Sequence, residues 1–89
     1  MQYDHETLRR IFDKTAGRCH LCGEAIGPRS YGVTDSPLGW EVEHSHARAN
    51  GGTDHPNNLY PAHITCNREK GTTSTRTARS WHDRQRAPL

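Results

Sequence analysis

The chain has 89 residues, a length that suits one domain, and only 11 of them are Leu, Ile, Val or Phe. Its net charge of +2 is low for a disordered chain, and it contains three Tyr, two Trp and one Phe. A large apolar core and a disordered chain are therefore both disfavoured, and the fold needs another stabilising element.

The N-terminal segment predicts a short helix. Asp4 is a suitable N-cap because its carboxylate can accept the free amides of the first turn. Leu8, Ile11 and Phe12 form one apolar stripe, and Gly17 offers a place for the helix to end. We expect this helix to pack against the domain and not to bind a partner.

The middle of the chain predicts short elements joined by polar loops. They are, in chain order, a tight turn over 17–24, a loop over 25–39 with a short strand at 31–33, a strand over 40–44, a polar loop over 45–57, an extended segment over 58–61 and a short helix over 65–70. Pro61 suits the end of a strand, because proline has no amide hydrogen to donate.

The C-terminal third is the basic part of the chain. Residues 1–59 carry 6 basic and 8 acidic groups, whereas residues 60–89 carry 6 basic and 2 acidic groups. This asymmetry indicates a surface that faces phosphates, and the alternative is a solvated tail. Residues 72–80 have few apolar side chains and are expected to be flexible, and 81–86 are expected to form a basic helical turn.

Disulfides are unsuited to stabilise this chain, because three cysteines cannot all pair with one another. The N-terminus has no apolar segment typical of a signal peptide, and no apolar run is long enough to span a membrane. We therefore expect a cytoplasmic, reducing setting, in which clustered thiols usually bind a metal.

Two pairs of metal-binding residues share the same spacing. Cys19 and Cys22 are separated by two residues, and so are His63 and Cys66. Together they form a Cys3His set of the kind that holds Zn²⁺ in tetrahedral geometry. Such a structural zinc contributes on the order of 10 kcal/mol to folding, which would compensate for the thin core.

Three alternatives to this zinc site stay open at this point. Cys19 and Cys22 can form a redox pair, or all three cysteines can be ordinary buried apolar residues. The fourth zinc ligand can also be another histidine, and the candidates are His20, His46 and His55.

The segment that lies between and after the two pairs of metal-binding residues resembles a known family. The matching features are Glu43-His44, Gly51-Gly52, Asn58-Leu59 and the run CNREKG at 66–71. Over residues 17–72 the chain resembles an HNH endonuclease with an embedded zinc site and an HNN-type signature. The resemblance implies a small, metal-stabilised α+β domain over 1–89. Its centre would be a ββα-metal, treble-clef-like finger, with an N-terminal helix before it and a basic tail or helix over 73–89.

The resemblance also implies roles for four residues. His44 would be the general base that activates water, and Glu43 beside it would bind a divalent cation. Asn67 would be the second ligand of that cation. Asn58 would bond to the backbone and hold the loop that orients His44.

The expected chemistry agrees with these residue types. A neutral imidazole accepts a proton near pH 7, and carboxylate and amide oxygens suit Mg²⁺ or Mn²⁺. The expected substrate is double-stranded DNA, which Arg68, Lys70, Arg76 and Arg79 would contact through its phosphates. The sequence leaves the choice between monomer and homodimer open.

Alternatives also remain for individual residues and for the function. His63 lies four residues before Asn67, where some members of the family without zinc bind the catalytic metal. His46 can be a substrate contact or an exposed loop residue, and Asn58 an ordinary turn residue. The chain as a whole can also be a non-catalytic zinc module that binds nucleic acid, or a structural interaction module.

Overall fold

The computed structural model describes residues 3–86, and for residues 82–86 it describes the backbone only. Five regular elements follow in chain order: α1 (His5–Lys14), β1 (Trp40–His44), β2 (Leu59–His63), α2 (Ile64–Lys70) and α3 (Thr75–Arg86). Short 3-10 turns at Arg48–Asn50 and Pro56–Asn58 interrupt the loop between the strands. The small α+β fold predicted from the sequence is confirmed. None of the helices within the described residues is both long and apolar enough to cross a membrane.

Helix α1 is capped and buried as its sequence predicts. The Asp4 carboxylate accepts the amide of Thr7 at 2.8 Å, and hydrogen bonds from the hydroxyl and the amide of Thr7 lower the pKa of Asp4. Ile11 is buried, and the chain turns away at Gly17, where φ is +76°. A side chain at this position would also lie 2.9 Å from the ring of Phe12, so both conformation and space favour glycine.

The two strands form an antiparallel hairpin with distinct ends. Trp40 pairs with His63 at one end, and His44 pairs with Leu59 at the other. At about 3.3 Å per residue, the two ends of β1 lie roughly 13 Å apart. Pro61 lies in the middle of β2, not at its end as predicted. A sheet of two strands tolerates this position because each strand has an outer edge that needs no amide donor.

The predicted strand at 31–33 is absent, and the chain there makes only an isolated bridge between Tyr31 and Trp40. Trp40 is nevertheless the centre of the core, with 2% of its surface exposed. Its indole nitrogen donates to the carbonyl of Gly27 at 2.8 Å, and its ring packs against Phe12 and Tyr31. The buried apolar cluster is completed by Ile11, Cys19, Leu21, Cys22, Ile26, Leu59, Ala62 and Ala78.

Helix α3 begins inside the stretch that was expected to be flexible. Low apolar content suggested flexibility over 72–80, yet the helix starts at Thr75. Ala78 is 1% exposed and joins the core, and the hydroxyl of Thr75 reaches the side chain of Glu43. Ala78, the partly buried Trp81 and one buried polar contact dock this helix. Ala78 is the only apolar residue in 72–80, so that stretch gives no recognisable hydrophobic pattern.

Candidate functional site

Four side chains converge where β2 joins α2. The ligand atoms of Cys19, Cys22, His63 and Cys66 all lie within 4.8 Å of one another. Cys19 and Cys22 come from the turn that follows α1, whereas His63 ends β2 and Cys66 lies in the first turn of α2. Within the described part of the chain this is the only such group of three or more histidine, cysteine or acidic side chains. Its composition and spacing fit a tetrahedral zinc site.

The ring of His63 is oriented toward the thiols. Its Nδ1 lies 3.3 Å from Sγ of Cys22 and 3.9 Å from Sγ of Cys66. Its Nε2 lies 3.0 Å from the carbonyl oxygen of Ala25, to which it donates. That hydrogen bond fixes the tautomer and leaves the lone pair of Nδ1 directed at the cluster, as is usual for zinc-binding histidines.

Cys19 is the most acidic thiol of the cluster. The thiol of Cys66 and the backbone amides of Cys22, His63 and Leu21 all donate hydrogen bonds toward its sulfur, and they lower its pKa to about 4. Hydrogen bonding to that sulfur raises the pKa of Cys66, and burial raises the pKa of Cys22. The fold therefore prepares one thiolate, and a bound cation would favour deprotonation of the other two thiols.

The histidines considered as alternative zinc ligands are engaged elsewhere. His20 stacks on Tyr60 with ring centres 4.0 Å apart, and burial lowers its pKa to about 4. Nε2 of His46 lies 2.7 Å from the carbonyl of Asn50. Nδ1 of His55 accepts the amide of Asn57 at the start of a 3-10 turn.

A second candidate site lies at the far end of the hairpin, at His44. A cavity of about 290 Å³ opens there, lined by His44, Ala47, Arg48, Ala49, Asn67, Lys70, Gly71 and Thr72. Another cavity of about 290 Å³ adjoins His44 and is lined by Tyr3, Tyr31, Glu41, Val42, Arg48 and Asp54 as well. The structure thus brings His44, Asn67 and Lys70 to one cavity, which we call the His44 cavity.

His44 is fixed through both its ring and its backbone. Its Nε2 lies 2.7 Å from Oδ1 of Asp54, and the other oxygen of that carboxylate accepts from Arg48 at 3.0 Å. The carbonyl of His44 accepts from Nζ of Lys70 at 3.1 Å. Lys70 is 3% exposed and lines the cavity, so the predicted phosphate contact is a buried residue of the cavity wall.

Asn58 bonds to the backbone on both sides of the loop that follows β1. Its Oδ1 accepts the amide of His46 at 2.7 Å. Its Nδ2 donates to the carbonyls of His46 at 3.0 Å and Thr53 at 2.7 Å. Gly52 passes close by, because a Cβ there would overlap the carbonyl oxygen of His46. The loop is therefore closed on itself beside His44.

Asn67 projects from α2 toward β1. Its Nδ2 donates to Oε2 of Glu41 at 2.9 Å, so its Oδ1 is the amide atom that would bind the predicted cation. Arg68 approaches the second oxygen of Glu41 at 3.4 Å, while its own side chain stays 69% exposed. Glu41 was not among the residues singled out from the sequence.

The structure does not bring Glu43 to the His44 cavity. Glu43 is 1% exposed, and its carboxylate accepts from the hydroxyl of Thr75 at 3.0 Å. Burial raises the pKa of Glu43, while the nearby Lys70 and the Thr75 hydrogen bond act in the opposite direction. Successive side chains of a strand point to opposite faces, so Glu43 and its neighbour His44 diverge.

Two further predicted contacts lie on α3. Arg76 and Arg79 are both exposed, whereas Thr75 and Ala78 of the same helix are buried. They are free to meet a large polyanion from solvent. Their predicted role in binding nucleic acid remains a prediction.

Three residues of this region carry contacts that sequence analysis missed: Glu41, Asp54 and Thr75. Glu41 and Asp54 are single acidic residues without a motif spacing, and Thr75 lies in a stretch of serines and threonines. For Glu41 the sequence did offer a signal, because the alternation of β1 places it on the same face as the predicted metal ligand Glu43.

These elements define a class of domain: two antiparallel strands and a helix, with a Cys3His cluster that fits zinc at one end. A family model described as HNH endonuclease matches residues 19–73, which is more than half of the chain. The chain therefore belongs to the HNH endonuclease family, as its sequence predicted. A search of the curated proteins found no match.

Proposed function

We propose that this protein is a metal-dependent endonuclease that hydrolyses phosphodiester bonds of double-stranded DNA. The observation that carries the proposal is that His44, Asn67 and Lys70 line one cavity in a chain of the HNH family. A cavity with an imidazole, an amide oxygen and a cation offers a base, a metal ligand and a phosphate contact together.

In this proposal His44 is the general base. Its side chain is 21% exposed, so water and a phosphate can reach the ring from the cavity. A neutral imidazole positioned beside the scissile phosphate takes a proton from the attacking water, which makes the oxygen a stronger nucleophile.

The cations near His44 support an anionic substrate. Lys70 and Arg48 line the cavity, and the exposed Arg68, Arg76 and Arg79 extend the positive charge over the C-terminal helices. Arginine and lysine contacts to the DNA backbone contribute affinity without reading sequence.

A catalytic Mg²⁺ or Mn²⁺ would be held at Asn67, whose amide oxygen is a hard ligand. Such an ion stabilises negative charge on the phosphate and on the leaving oxygen. Mg²⁺ usually keeps several waters and is held through one or two carboxylates, so the amide oxygen of Asn67 would need a carboxylate beside it. The predicted second ligand, Glu43, would first have to release Thr75, and its role stays a prediction.

A structural Zn²⁺ in the Cys3His cluster would hold the turn after α1 against α2. Cys19 and Cys22 belong to the turn, whereas His63 ends β2 and Cys66 lies in the first turn of α2. A zinc–thiolate site of this kind agrees with the reducing, cytoplasmic setting that we propose.

The decisive experiment incubates supercoiled plasmid with the zinc-loaded protein and Mg²⁺ or Mn²⁺. Wild type should convert the plasmid to open-circular or linear DNA, and the ratio of those products distinguishes nicking from double-strand cleavage. His44→Ala should abolish conversion while it retains zinc and the wild-type circular dichroism spectrum. His5→Ala, which replaces an exposed histidine of α1, is the matched control.

The alternative is a zinc module that binds nucleic acid without cleaving it. The arginines of α3 and the burial of Glu43 favour this alternative over a purely structural role. A plasmid left intact with every divalent cation, together with retained DNA binding in a mobility-shift assay, would establish it in place of the nuclease.

A further inference from the structure

We propose that Asp54 is a positioning residue for His44, a role that rests on the nuclease function proposed above. In this arrangement the Asp54 carboxylate accepts the Nε2 proton of His44 and holds the ring in one tautomer. Nδ1 is then the nitrogen that takes the proton of the attacking water, and Asp54 stabilises the imidazolium that results.

The contact distances support this assignment of the proton. Oδ1 of Asp54 lies 2.7 Å from Nε2 of His44, and Oδ2 accepts from Nη1 of Arg48 at 3.0 Å. The hydrogen bond from His44 and the charge of Arg48 lower the pKa of Asp54, so its carboxylate is ionised at neutral pH. An ionised carboxylate only accepts hydrogen bonds, so the hydrogen between the two side chains must be carried by Nε2.

The loop after β1 brings this carboxylate into place. Asn58 donates to the carbonyl of Thr53, the residue before Asp54, at 2.7 Å and to that of His46 at 3.0 Å. The side chain of Asp54 is 53% exposed, so burial does not hold it beside His44. The ion pair with Arg48 and the backbone hydrogen bonds of Asn58 do so instead, which extends the predicted role of Asn58 to a second residue.

The chemical step balances without a proton on Asp54. The water oxygen forms a bond to phosphorus, the bond from phosphorus to the leaving oxygen breaks, and the water proton passes to Nδ1 of His44. The imidazolium later releases that proton to solvent, and the leaving oxygen takes one from solvent. Asp54 stays ionised throughout, so its negative charge stabilises the imidazolium while His44 holds the extra proton.

The kinetic test compares Asp54→Ala and Asp54→Asn in the zinc-loaded protein. Asp54→Ala should lower kcat by about 10–100-fold or more with KM unchanged, since removing the partner that orients a metal-binding histidine costs that much and the orienting carboxylate of a general-base histidine contributes more. Asp54→Asn should recover part of that loss, because its amide oxygen still accepts from Nε2. Asp35→Asn, which neutralises an exposed loop aspartate, is the control and should match wild type.

The structural test uses the nitrogen chemical shifts of the His44 ring, assigned by their absence in His44→Ala. Wild type should show the tautomer protonated at Nε2, and Asp54→Ala should show a mixture of tautomers. Unchanged shifts in Asp54→Ala, or an unchanged kcat, would each overturn the proposal. If wild type cleaves no plasmid, the nuclease function fails, and the ring shifts alone decide whether Asp54 holds the tautomer.

Discussion

Cys66 and Asn67 are neighbours in α2, yet their side chains belong to different sites. Sγ of Cys66 lies 3.9 Å from Nδ1 of His63 in the metal cluster, whereas Nδ2 of Asn67 donates to Glu41 on β1. One turn later, Lys70 reaches the carbonyl of His44. Helix α2 therefore runs from the cluster to the His44 cavity, and zinc at its first turn would set the position of both Asn67 and Lys70.

Removal of one thiol should unfold the domain. Cys66→Ala takes a ligand from a site of the kind that contributes on the order of 10 kcal/mol to folding in small zinc domains. We expect the variant to contain no stoichiometric zinc by elemental analysis and to lose its cooperative thermal transition by circular dichroism. Thr65→Ala, an exposed neighbour, should keep both properties. A Cys66→Ala protein that melts like wild type would exclude zinc as the stabilising element.

Asn67→Ala should weaken binding of the catalytic cation. The variant lacks the amide oxygen at the His44 cavity, so half-maximal cleavage should need a higher Mg²⁺ concentration, and excess Mg²⁺ should restore the rate. Cleavage titrated against Mg²⁺ or Mn²⁺ at saturating plasmid measures this effect. A variant with a normal cation requirement would remove Asn67 from the ligand set.

Substitutions at Glu43 and Thr75 distinguish a structural carboxylate from a metal ligand. Thr75→Val keeps the shape but removes the hydroxyl that donates to buried Glu43, and should destabilise folding by about 1–3 kcal/mol in urea unfolding. Glu43→Gln should fold well, because its amide oxygen still accepts from Thr75 and no charge is buried. An increased Mg²⁺ requirement in folded Glu43→Gln would instead establish the predicted ligand role, in which case Glu43 must turn toward the cavity during the reaction.

Asn58→Ala should loosen the loop after β1. The substitution removes three hydrogen bonds to the backbone, so we expect a decrease of about 1–3 kcal/mol in unfolding free energy and a lower kcat. Asn58→Asp is the informative comparison, since it keeps the acceptor for His46 but has neither donor. It should therefore be impaired almost as strongly as the alanine variant. Wild-type activity in both variants would show that the loop holds its shape without this side chain.

The arginines of α3 are expected to bind DNA phosphates. The double variant Arg76→Ala/Arg79→Ala should bind duplex DNA more weakly at all sequences. The slope of the logarithm of its DNA-binding constant against the logarithm of the salt concentration should also be less steep, by about 0.9 for each phosphate that the protein no longer neutralises. The double variant Arg9→Ala/Arg10→Ala removes equal charge from α1 and serves as the control. Equal salt slopes for the two would indicate that α3 lies away from the DNA.

The sequence predicted those features that depend on local spacing. The two-residue gaps in the Cys19/Cys22 and His63/Cys66 pairs identified all four members of the metal cluster, and the capping residue Asp4 identified the start of α1. The alternation over residues 40–44 located β1 with its bounds. Each of these patterns is set by neighbours in the chain, so no knowledge of the tertiary fold was needed.

Features that depend on packing between distant segments were missed. Asp54 reaches His44 because the loop closes on itself, and Thr75 reaches Glu43 because α3 docks beside β1. The resemblance to the HNH family implied that Glu43 and His44 act together. In a strand, however, adjacent side chains point to opposite faces, so Glu43 and His44 lie on different sides of β1.

The hydrogen bonds of Lys14 determine how much of this chain is needed for a stably folded domain. Its ammonium donates to the carbonyls of Pro56 and Leu59 at 2.6 Å each, although α1 precedes the family-matched segment 19–73. A fragment trimmed to that segment would keep every predicted zinc and catalytic residue. It would nevertheless lack this tie to the loop and the cover that Ile11 gives the core. The portable module therefore includes α1, and a fusion or transplant should place its junctions outside that helix.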